Sequence, residues 1–246
     1  MMMLLPKLAE SLLAAARGAQ SLLYPYNCMV CRRPLAEGAI LCAACDEALP
    51  RLVPPYCAVC SQPFDGAISG EFTCDTCHDR QFAFVSAISS RRNTGLARRL
   101  IHRYKYQREF HLRRIIGDWL GECLDDRRLL PFDLIVPVPL HPARLREREF
   151  DQALALAELF AAACGRPLAQ CLKRVRRTTS QTQFQRSRRI ANLRGAFRAR
   201  RDGRLDAASV LLVDDVFTTG STVDECAREL LRAGAARVQV ATAARS

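Results

Sequence analysis

The fold of this 246-residue chain is decided by the stretch Val210-Leu-Leu-Val-Asp-Asp-Val-Phe-Thr-Thr-Gly-Ser-Thr222. An apolar run typical of a buried strand leads into two adjacent carboxylates, Asp214 and Asp215, and a hydroxyl-rich turn then precedes a predicted helix. A strand-to-helix turn of this kind directs backbone N–H groups and the positive end of a helix dipole at one point, which suits a phosphate monoester. The residues predicted to contact that phosphate are Thr218, Thr219, Gly220, Ser221 and Thr222.

The two aspartates are predicted to lie where the sugar of a bound phosphosugar would sit. Their carboxylates can accept hydrogen bonds from vicinal ribose hydroxyls, directly or through Mg²⁺. This order of strand, acidic pair, Thr-Thr-Gly-Ser turn and helix resembles the 5-phosphoribosyl-1-pyrophosphate (PRPP) loop of type I phosphoribosyltransferases. The alternative is a buried strand followed by an ordinary helix cap, but a cap needs one Ser, Thr or Asp and not the whole set.

Charge and composition limit the class of protein. An apolar content of 49% is enough for a real core, and a formal net charge of +12 favours a polyanionic ligand or partner over a merely solvated basic face. Basic residues are concentrated in residues 91–114 and 173–204. The leucine-rich segment 1–24 is interrupted by Pro6 and several charges, so it predicts a docked amphipathic helix and not a membrane span or signal peptide. A cytoplasmic location follows.

Eight of the twelve cysteines form four C-x-x-C pairs before residue 78. The pairs are Cys28/Cys31, Cys42/Cys45, Cys57/Cys60 and Cys74/Cys77. Two intervening residues let both thiolates enter one tetrahedral Zn²⁺ shell, so we predict two structural zinc sites with sequential pairing favoured over interleaved pairing. A disulfide framework and a redox role are the alternatives, and no secretory signal supports the first. The isolated cysteines are expected in the core: Cys123, Cys164, Cys171 and Cys226.

After the cysteine-rich segment, alternating strands and helices predict an α/β domain with a parallel sheet flanked by helices. A first strand is expected at residues 82–89, and Leu96, Leu100, Ile101 and Tyr104 then stand at helical spacing. Ligands of such sheets bind beyond the carboxyl ends of the strands.

A second strand ends in a proline-rich run, residues 136–142, at the same predicted edge of the sheet. The helix that follows carries Arg144 and Arg148, whose guanidinium groups are predicted to bind pyrophosphate. Residues 173–196, named here the basic hood, lack apolar periodicity over most of their length. We predict a mobile hood that closes over a diphosphate through Arg176 or Arg177, and plain disorder is the alternative.

Together these motifs resemble the ComF/GntX family, in which a double zinc ribbon precedes a phosphoribosyltransferase-type domain. The resemblance rests on the four C-x-x-C pairs, Arg103-Tyr-Lys-Tyr106, Val136–Arg144, Arg148–Gln152, Arg177–Thr182 and Val213–Thr222. The chain departs from the usual R-G-F-N-Q at Glu149 and Asp151, and Arg32 and Ser61 replace glycines that often follow the family's knuckles. The predicted domains are an amphipathic helix at 1–24, a double zinc-ribbon module at 25–80 and a phosphoribosyltransferase-like domain at 81–246.

The resemblance implies a domain that binds PRPP with Mg²⁺. It also implies a link to natural transformation, to single-stranded DNA, and to a DNA-uptake helicase or another competence protein as partner. The residues offered for nucleic-acid contact are Arg103, Tyr104, Lys105 and Tyr106, since cations follow phosphates and tyrosines stack on bases.

Three functions stay open on the sequence. The favoured one is a PRPP-binding, phosphoribosyltransferase-like protein of DNA uptake. The first alternative is an active transferase with an unknown acceptor, in which Asp214 and Asp215 are catalytic and cationic groups stabilise the departing pyrophosphate. The second alternative is a zinc-ribbon adaptor whose larger domain is vestigial.

Overall fold

Residues 26–176, 193–200 and 205–246 are described by the computed structural model. The chain divides into two compact units, Met1–Leu49 and Pro50–Ser246. The predicted helix at 1–24 and most of the basic hood lie outside the described residues, so those predictions and the predicted domain limits stay predictions. Within the described part of the chain, no helix combines the length and apolar character needed to cross a bilayer.

Within residues 26–49, the described part of the first unit, there are two cysteine knuckles and a short helix, α1 (Ala43–Glu47). An antiparallel bridge joins Asn27 to Pro34 and closes the first knuckle. Arg32 within that knuckle has φ 63°, and Ser61 in the second unit has φ 55°. The residues that stand in place of the two glycines therefore adopt the left-handed backbone that glycine takes most easily, at a cost of about 1–2 kcal/mol each.

The second unit is built on a four-stranded sheet in which every pair of neighbours is parallel. Its strands are β1 (Ala87–Arg92), β2 (Leu134–Pro137), β5 (Ser209–Phe217) and β6 (Arg237–Arg245). Their spatial order is β1-β6-β5-β2. Two short strands, β3 (Leu172–Arg174) and β4 (Phe197–Ala199), pair antiparallel in a separate ladder. The predicted parallel α/β fold is confirmed.

Helices connect these strands. The described helices of this unit are α2 (Asp75–His78), α3 (Gly95–Tyr106), α4 (Arg113–Gly121), α5 (Pro142–Arg148), α6 (Gln152–Cys164) and α7 (Ser221–Arg232). Short 3-10 turns span Phe110–Leu112 and Glu122–Asp125. Helix α6 ends at Gly165 with φ 66°, the left-handed cap that the sequence predicts.

Strand β5 is buried on both faces because it lies in the middle of the sheet. Val213 is opposite Ala241 of β6 and Pro137, the last residue of β2, so β5 and β6 run on past the carboxyl end of β2. Asp214 follows directly, opposite Thr242. The register thus carries the acidic pair to the ligand-binding edge expected for a parallel sheet.

Two sequence predictions need correction. The first strand spans Ala87–Arg92 and not 82–89; Phe82 and Phe84 precede it and stack on each other with ring centroids 4.6 Å apart. Cys164 is only partly buried, since it lies in the last turn of α6. The other isolated cysteines are buried as predicted: Cys123, Cys171 and Cys226.

An ion pair between the buried Arg91 and the partly exposed Glu122 links β1 to the turn after α4. Arg91 is 1% exposed, donates to both carboxylate oxygens of Glu122, and lies with its Cζ 5.6 Å from the ring of Trp119. Removing one member of such a pair is costly because the other charge stays buried without compensation.

We therefore expect Glu122→Ala to lower the free energy of unfolding by about 3 kcal/mol. Urea denaturation followed by the fluorescence of Trp119, the one tryptophan of the chain, measures this loss. The matched control is Asp65→Ala, which removes the exposed partner of Arg92 and should cost less than about 1 kcal/mol. Equal losses in the two variants would show that burial of Arg91 does not set the cost.

Candidate functional site

The acidic pair lies near the carboxyl end of β5 and is compensated by a lysine from α3. Asp215 is 6% exposed, and its Oδ1 lies 2.8 Å from Nζ of Lys105. The backbone N–H of Asp215 donates to Oδ1 of Asp214 at 2.9 Å. The sequence assigned Lys105 to nucleic-acid contact, whereas the structure brings it to the predicted sugar site.

Burial changes the acid–base chemistry of the pair. Desolvation, and after it repulsion from Asp215, raises the pKa of Asp214 to about 8, while Lys105 acts in the opposite direction. Burial also raises the pKa of Asp151, a neighbour in the same electrostatic field. The raised pKa favours a protonated Asp214, whose carboxyl group can donate as well as accept hydrogen bonds.

The five residues predicted to contact phosphate run from the end of β5 into the first turn of α7, and we call them the phosphate turn (residues 218–222). Gly220 has φ 74°, and a Cβ there would lie 2.6 Å from Cζ of Phe217 and 3.0 Å from Cε1 of Phe82. Oγ1 of Thr219 lies 3.0 Å from Oγ of Ser221. The first turn of α7 begins at Ser221, and N–H groups in such a turn have no intrahelical acceptor. This geometry suits a tetrahedral anion.

Arg144 and Arg148 lie beside a cavity of about 180 Å³, the basic pocket. Its lining residues are Lys105, Tyr106, Arg108, Arg144, Glu147 and Arg148. Because Lys105 also contacts Asp215, the basic pocket adjoins the acidic pair. Nη1 of Arg148 donates to Oε1 of Gln152 at 2.8 Å, which fixes the guanidinium at the pocket wall.

The two carboxylates that replace family residues have local structural partners. Glu149 has φ 68° and forms an ion pair with Arg108 at 2.8 Å. Asp151 caps α6 by accepting from the backbone N–H of Leu154 at 3.1 Å, and it also accepts from Leu140 at 3.2 Å. Arg144 and Arg148 therefore keep their place at the basic pocket.

Sequence reasoning missed Arg174, which ends β3. Burial and the nearby positive charge of Arg144 lower its pKa, and Asp214 lies in the same field. A single arginine in a long basic run carries no local signal of burial, so only the tertiary structure identifies it. Nη1 of Arg176, a predicted hood contact, donates to the carbonyl of Arg194 at 2.9 Å. Arg177 lies outside the described residues.

The four residues predicted to contact nucleic acid differ in how accessible their side chains are. Tyr104 is fully buried and its hydroxyl donates to the carbonyl of Gln152 at 3.1 Å, so its ring is not available to a base. Nε of Arg103 donates to Glu109 at 2.7 Å, and Lys105 is engaged by Asp215. Tyr106 is 59% exposed and remains a candidate for stacking.

Two four-cysteine clusters match the predicted zinc sites with sequential pairing. Within each cluster the Sγ atoms all lie within 4.8 Å of one another. The clusters are Cys28, Cys31, Cys42 and Cys45, and then Cys57, Cys60, Cys74 and Cys77. The thiol of Cys60 and several backbone N–H groups lower the pKa of Cys57 to about 4, which favours a metal-binding thiolate. Four sulfur donors suit a closed, structural Zn²⁺ shell.

Comparison with known proteins gives family matches on both parts of the chain. Residues 19–79 match the double zinc ribbon domain, and residues 151–246 match the phosphoribosyl transferase domain. DNA utilization protein YhgH of Salmonella typhimurium is 34% identical over 223 residues, covering 88% of this chain and 95% of the relative. Competence protein F of Haemophilus influenzae is 28% identical, covering 88% and 96%.

Solved structures show partial likeness. Glutamine PRPP amidotransferase from B. subtilis, complexed with ADP and GMP, is 25% identical with a TM-score of 0.35, covering 52% of this chain and 25% of its own. Purine phosphoribosyltransferase from Pyrococcus horikoshii is 19% identical with a TM-score of 0.30, covering 52% and 68%. At these TM-scores the likeness adds nothing to the argument from sheet topology.

The raised pKa of Asp214 predicts a pH dependence of stability. Folded Asp214 holds its proton up to about pH 8, whereas the unfolded side chain releases it near pH 4, so this carboxyl should reduce stability progressively as pH rises through that window. We expect the free energy of unfolding of Asp214→Asn, relative to that of the unmodified chain, to rise by at least about 1 kcal/mol between pH 5 and pH 8.

Denaturant midpoints at the two pH values measure this difference. Asp65→Asn, which removes an exposed carboxylate outside the site, is the control. An Asp214→Asn variant whose stability follows that of the unmodified chain at both pH values would show that Asp214 is ionised in the folded protein.

Proposed function

The chain belongs to the family that includes DNA utilization protein YhgH and competence protein F, and from that premise we propose that it is a PRPP-binding, phosphoribosyltransferase-like protein acting in the uptake or use of external DNA. One observation carries the ligand assignment: Lys105 joins the acidic pair to the basic pocket. An anion-binding turn, a hydroxyl-binding acidic pair and an anion-binding basic pocket are therefore proposed to follow one another along one edge of the sheet.

The three subsites correspond to the three chemical parts of PRPP. The phosphate turn suits the 5-phosphate through backbone N–H groups and hydroxyls. Asp214 and Asp215 suit the ribose hydroxyls. Arg144 and Arg148 suit the pyrophosphate, with bidentate guanidinium contacts. A ligand with only one of these parts would leave two subsites without a matching group.

Carboxylate oxygens of the acidic pair are ligands that Mg²⁺ accepts. Magnesium held there together with a diphosphate would neutralise charge on the pyrophosphate. Lys105 and the proton on Asp214 already compensate the acidic pair. We therefore propose that the pair has little affinity for free magnesium and takes the ion only with the diphosphate.

An active transferase is the second candidate, and the position of the basic pocket beside the acidic pair favours it. Lys105, Arg144 and Arg148 would stabilise the charge that develops on the departing pyrophosphate, while the acidic pair orients the sugar. Gly220 and the charged edge of the sheet argue against a vestigial domain, because neither is needed for an adaptor built on zinc ribbons.

We also propose that single-stranded DNA contacts the rim of the basic pocket. Tyr106 lies there with its ring centroid 4.9 Å from Cζ of Arg148 and 4.8 Å from the ring of His102. Cations beside an exposed aromatic ring form the combination that binds single strands without sequence preference. The proposed site of action is the cytoplasm, with a DNA-uptake helicase or another competence protein as partner.

Titration calorimetry tests PRPP binding. We expect PRPP with Mg²⁺ to bind the unmodified chain, and the double variant Asp214→Asn, Asp215→Asn to bind at least about tenfold more weakly, because the sugar hydroxyls lose the charged acceptor of Asp215 and the carboxyl group of Asp214. The control Asp65→Asn should bind normally. Unchanged affinity in the double variant would show that the sugar hydroxyls do not bind at the acidic pair.

The same samples separate a binding protein from an enzyme. Incubation with PRPP and a panel of nucleobases, followed by measurement of released pyrophosphate, detects transfer. Release that the double variant abolishes identifies a transferase, whereas binding without turnover on the whole panel supports a PRPP-binding protein.

Fluorescence anisotropy with labelled oligo-dT tests DNA binding. We expect affinity to fall steeply with salt, and Tyr106→Ala to weaken binding about fivefold or more through the loss of base stacking. Phe64→Ala, which removes another exposed ring, is the control. Absent or salt-insensitive binding would reject this part of the proposal.

A further inference from the structure

The phosphate turn is held from behind by two arginines that also belong to the surroundings of the second ribbon, residues 56–79. All of these residues lie in one compact unit, Pro50–Ser246. Neither arginine was assigned a role from the sequence, and neither contacts the acidic pair.

Arg245, on β6, bridges the second zinc cluster and the start of the phosphate turn. Its side chain is buried, and its Nε donates to the carbonyl of Cys60 at 2.8 Å. Its Nη1 donates to the carbonyl of Thr218 at 2.9 Å, and its Nη2 lies 3.8 Å from Sγ of Cys60. The guanidinium also faces the ring of Phe217 at 5.0 Å. One side chain therefore contacts a zinc ligand and the first residue of the turn.

Arg80, which follows the second ribbon, holds the other end of the turn. Its Nη2 lies 2.9 Å from Oδ2 of Asp224 in the first turn of α7, and both side chains are largely buried. Its Nη1 donates to the carbonyl of Thr219 at 3.4 Å. Oδ1 of Asp224 accepts from the backbone N–H of Ala83 at 2.7 Å. The helix start is thus tied to the chain that leaves the ribbon.

The planarity of the peptide bond lets these contacts determine where the N–H groups of the phosphate turn point. In a planar trans peptide the carbonyl and the following N–H point to opposite sides. Because Arg245 and Arg80 hold the carbonyls of Thr218 and Thr219, the N–H groups of Thr219 and Gly220 are turned to the side away from the ribbon. Donors fixed in this way bind an anion without the entropy cost of ordering the loop.

We propose that Arg245 and Arg80 are positioning residues of the phosphate turn, and that the zinc-loaded second ribbon is the support from which they act. The inference rests on the proposed function, since it assumes that the turn binds the phosphate of a sugar phosphate. Binding equilibria linked through one structure are reciprocal, so a sugar phosphate on the turn must strengthen zinc retention in the second ribbon.

Arg128 is a matched comparison. It is partly buried against the same ribbon and donates to the carbonyl of Cys57 at 3.4 Å and to Oγ of Ser61 at 3.1 Å. Its remaining charge is satisfied by Asp126 at 2.6 Å. Arg128 thus supports the ribbon without contacting the phosphate turn. A variant at Arg128 therefore tests support of the ribbon separately from positioning of the turn.

The experiment uses the full zinc-loaded chain and ribose 5-phosphate as the probe. Calorimetry measures its affinity, and transfer of zinc to a chromogenic chelator measures retention, with a Cys28→Ser background so that the second ribbon supplies the zinc signal. We expect ribose 5-phosphate to raise the zinc affinity of the second ribbon, measured at equilibrium with the chelator, at least about threefold, and Arg245→Met to abolish this effect and weaken sugar phosphate binding about tenfold. Arg128→Met should keep both properties.

Arg80→Met and the conservative Arg245→Lys cover the case in which Arg245→Met fails to fold, with partial rescue expected for lysine because it keeps the charge but loses the planar fork. Wild-type affinity in folded Arg245 and Arg80 variants, or an equilibrium zinc affinity that ribose 5-phosphate does not change, would overturn the inference while leaving the proposed function intact. A native chain that binds neither ribose 5-phosphate nor PRPP would overturn both.

Discussion

The register of β5 between β2 and β6 is the constraint on which the candidate site depends. A central strand buried on both faces has no freedom to slip, because a shift of one residue would exchange its two faces. That register delivers Asp214 and Asp215 to the edge of the sheet and starts the phosphate turn at a fixed height. The polar chemistry is therefore set by apolar packing several residues earlier in the strand.

Features with local spacing could be predicted from the sequence. The C-x-x-C pairs, the strand-to-helix turn and the Gly165 cap depend on residues close together in the chain, and the structure has them in the predicted form. The contacts of Lys105 and Arg245 could not be predicted, because each joins elements far apart in sequence and neither stands in a motif that specifies its partner.

The burial of Tyr104 could have been predicted from helical periodicity. It continues the apolar spacing of Leu96, Leu100 and Ile101, and that periodicity places it on the buried face of α3. Motif resemblance nevertheless put Tyr104 and Tyr106 together as contacts for nucleic acid. Periodicity separates them, since residues two positions apart on a helix point about 200° apart in rotation and cannot share one face.

Two adjacent residues of α3, Lys105 and Tyr106, make contacts with different surroundings. The ammonium group of Lys105 contacts Asp215, and the next residue presents its ring to solvent beside Arg148. A hydrogen-bonded helix is stiff over such a short span, so a displacement that lengthens the ion pair also carries the ring with it. The geometry of the acidic pair and the position of the exposed ring beside Arg148 are therefore coupled through one peptide unit of α3.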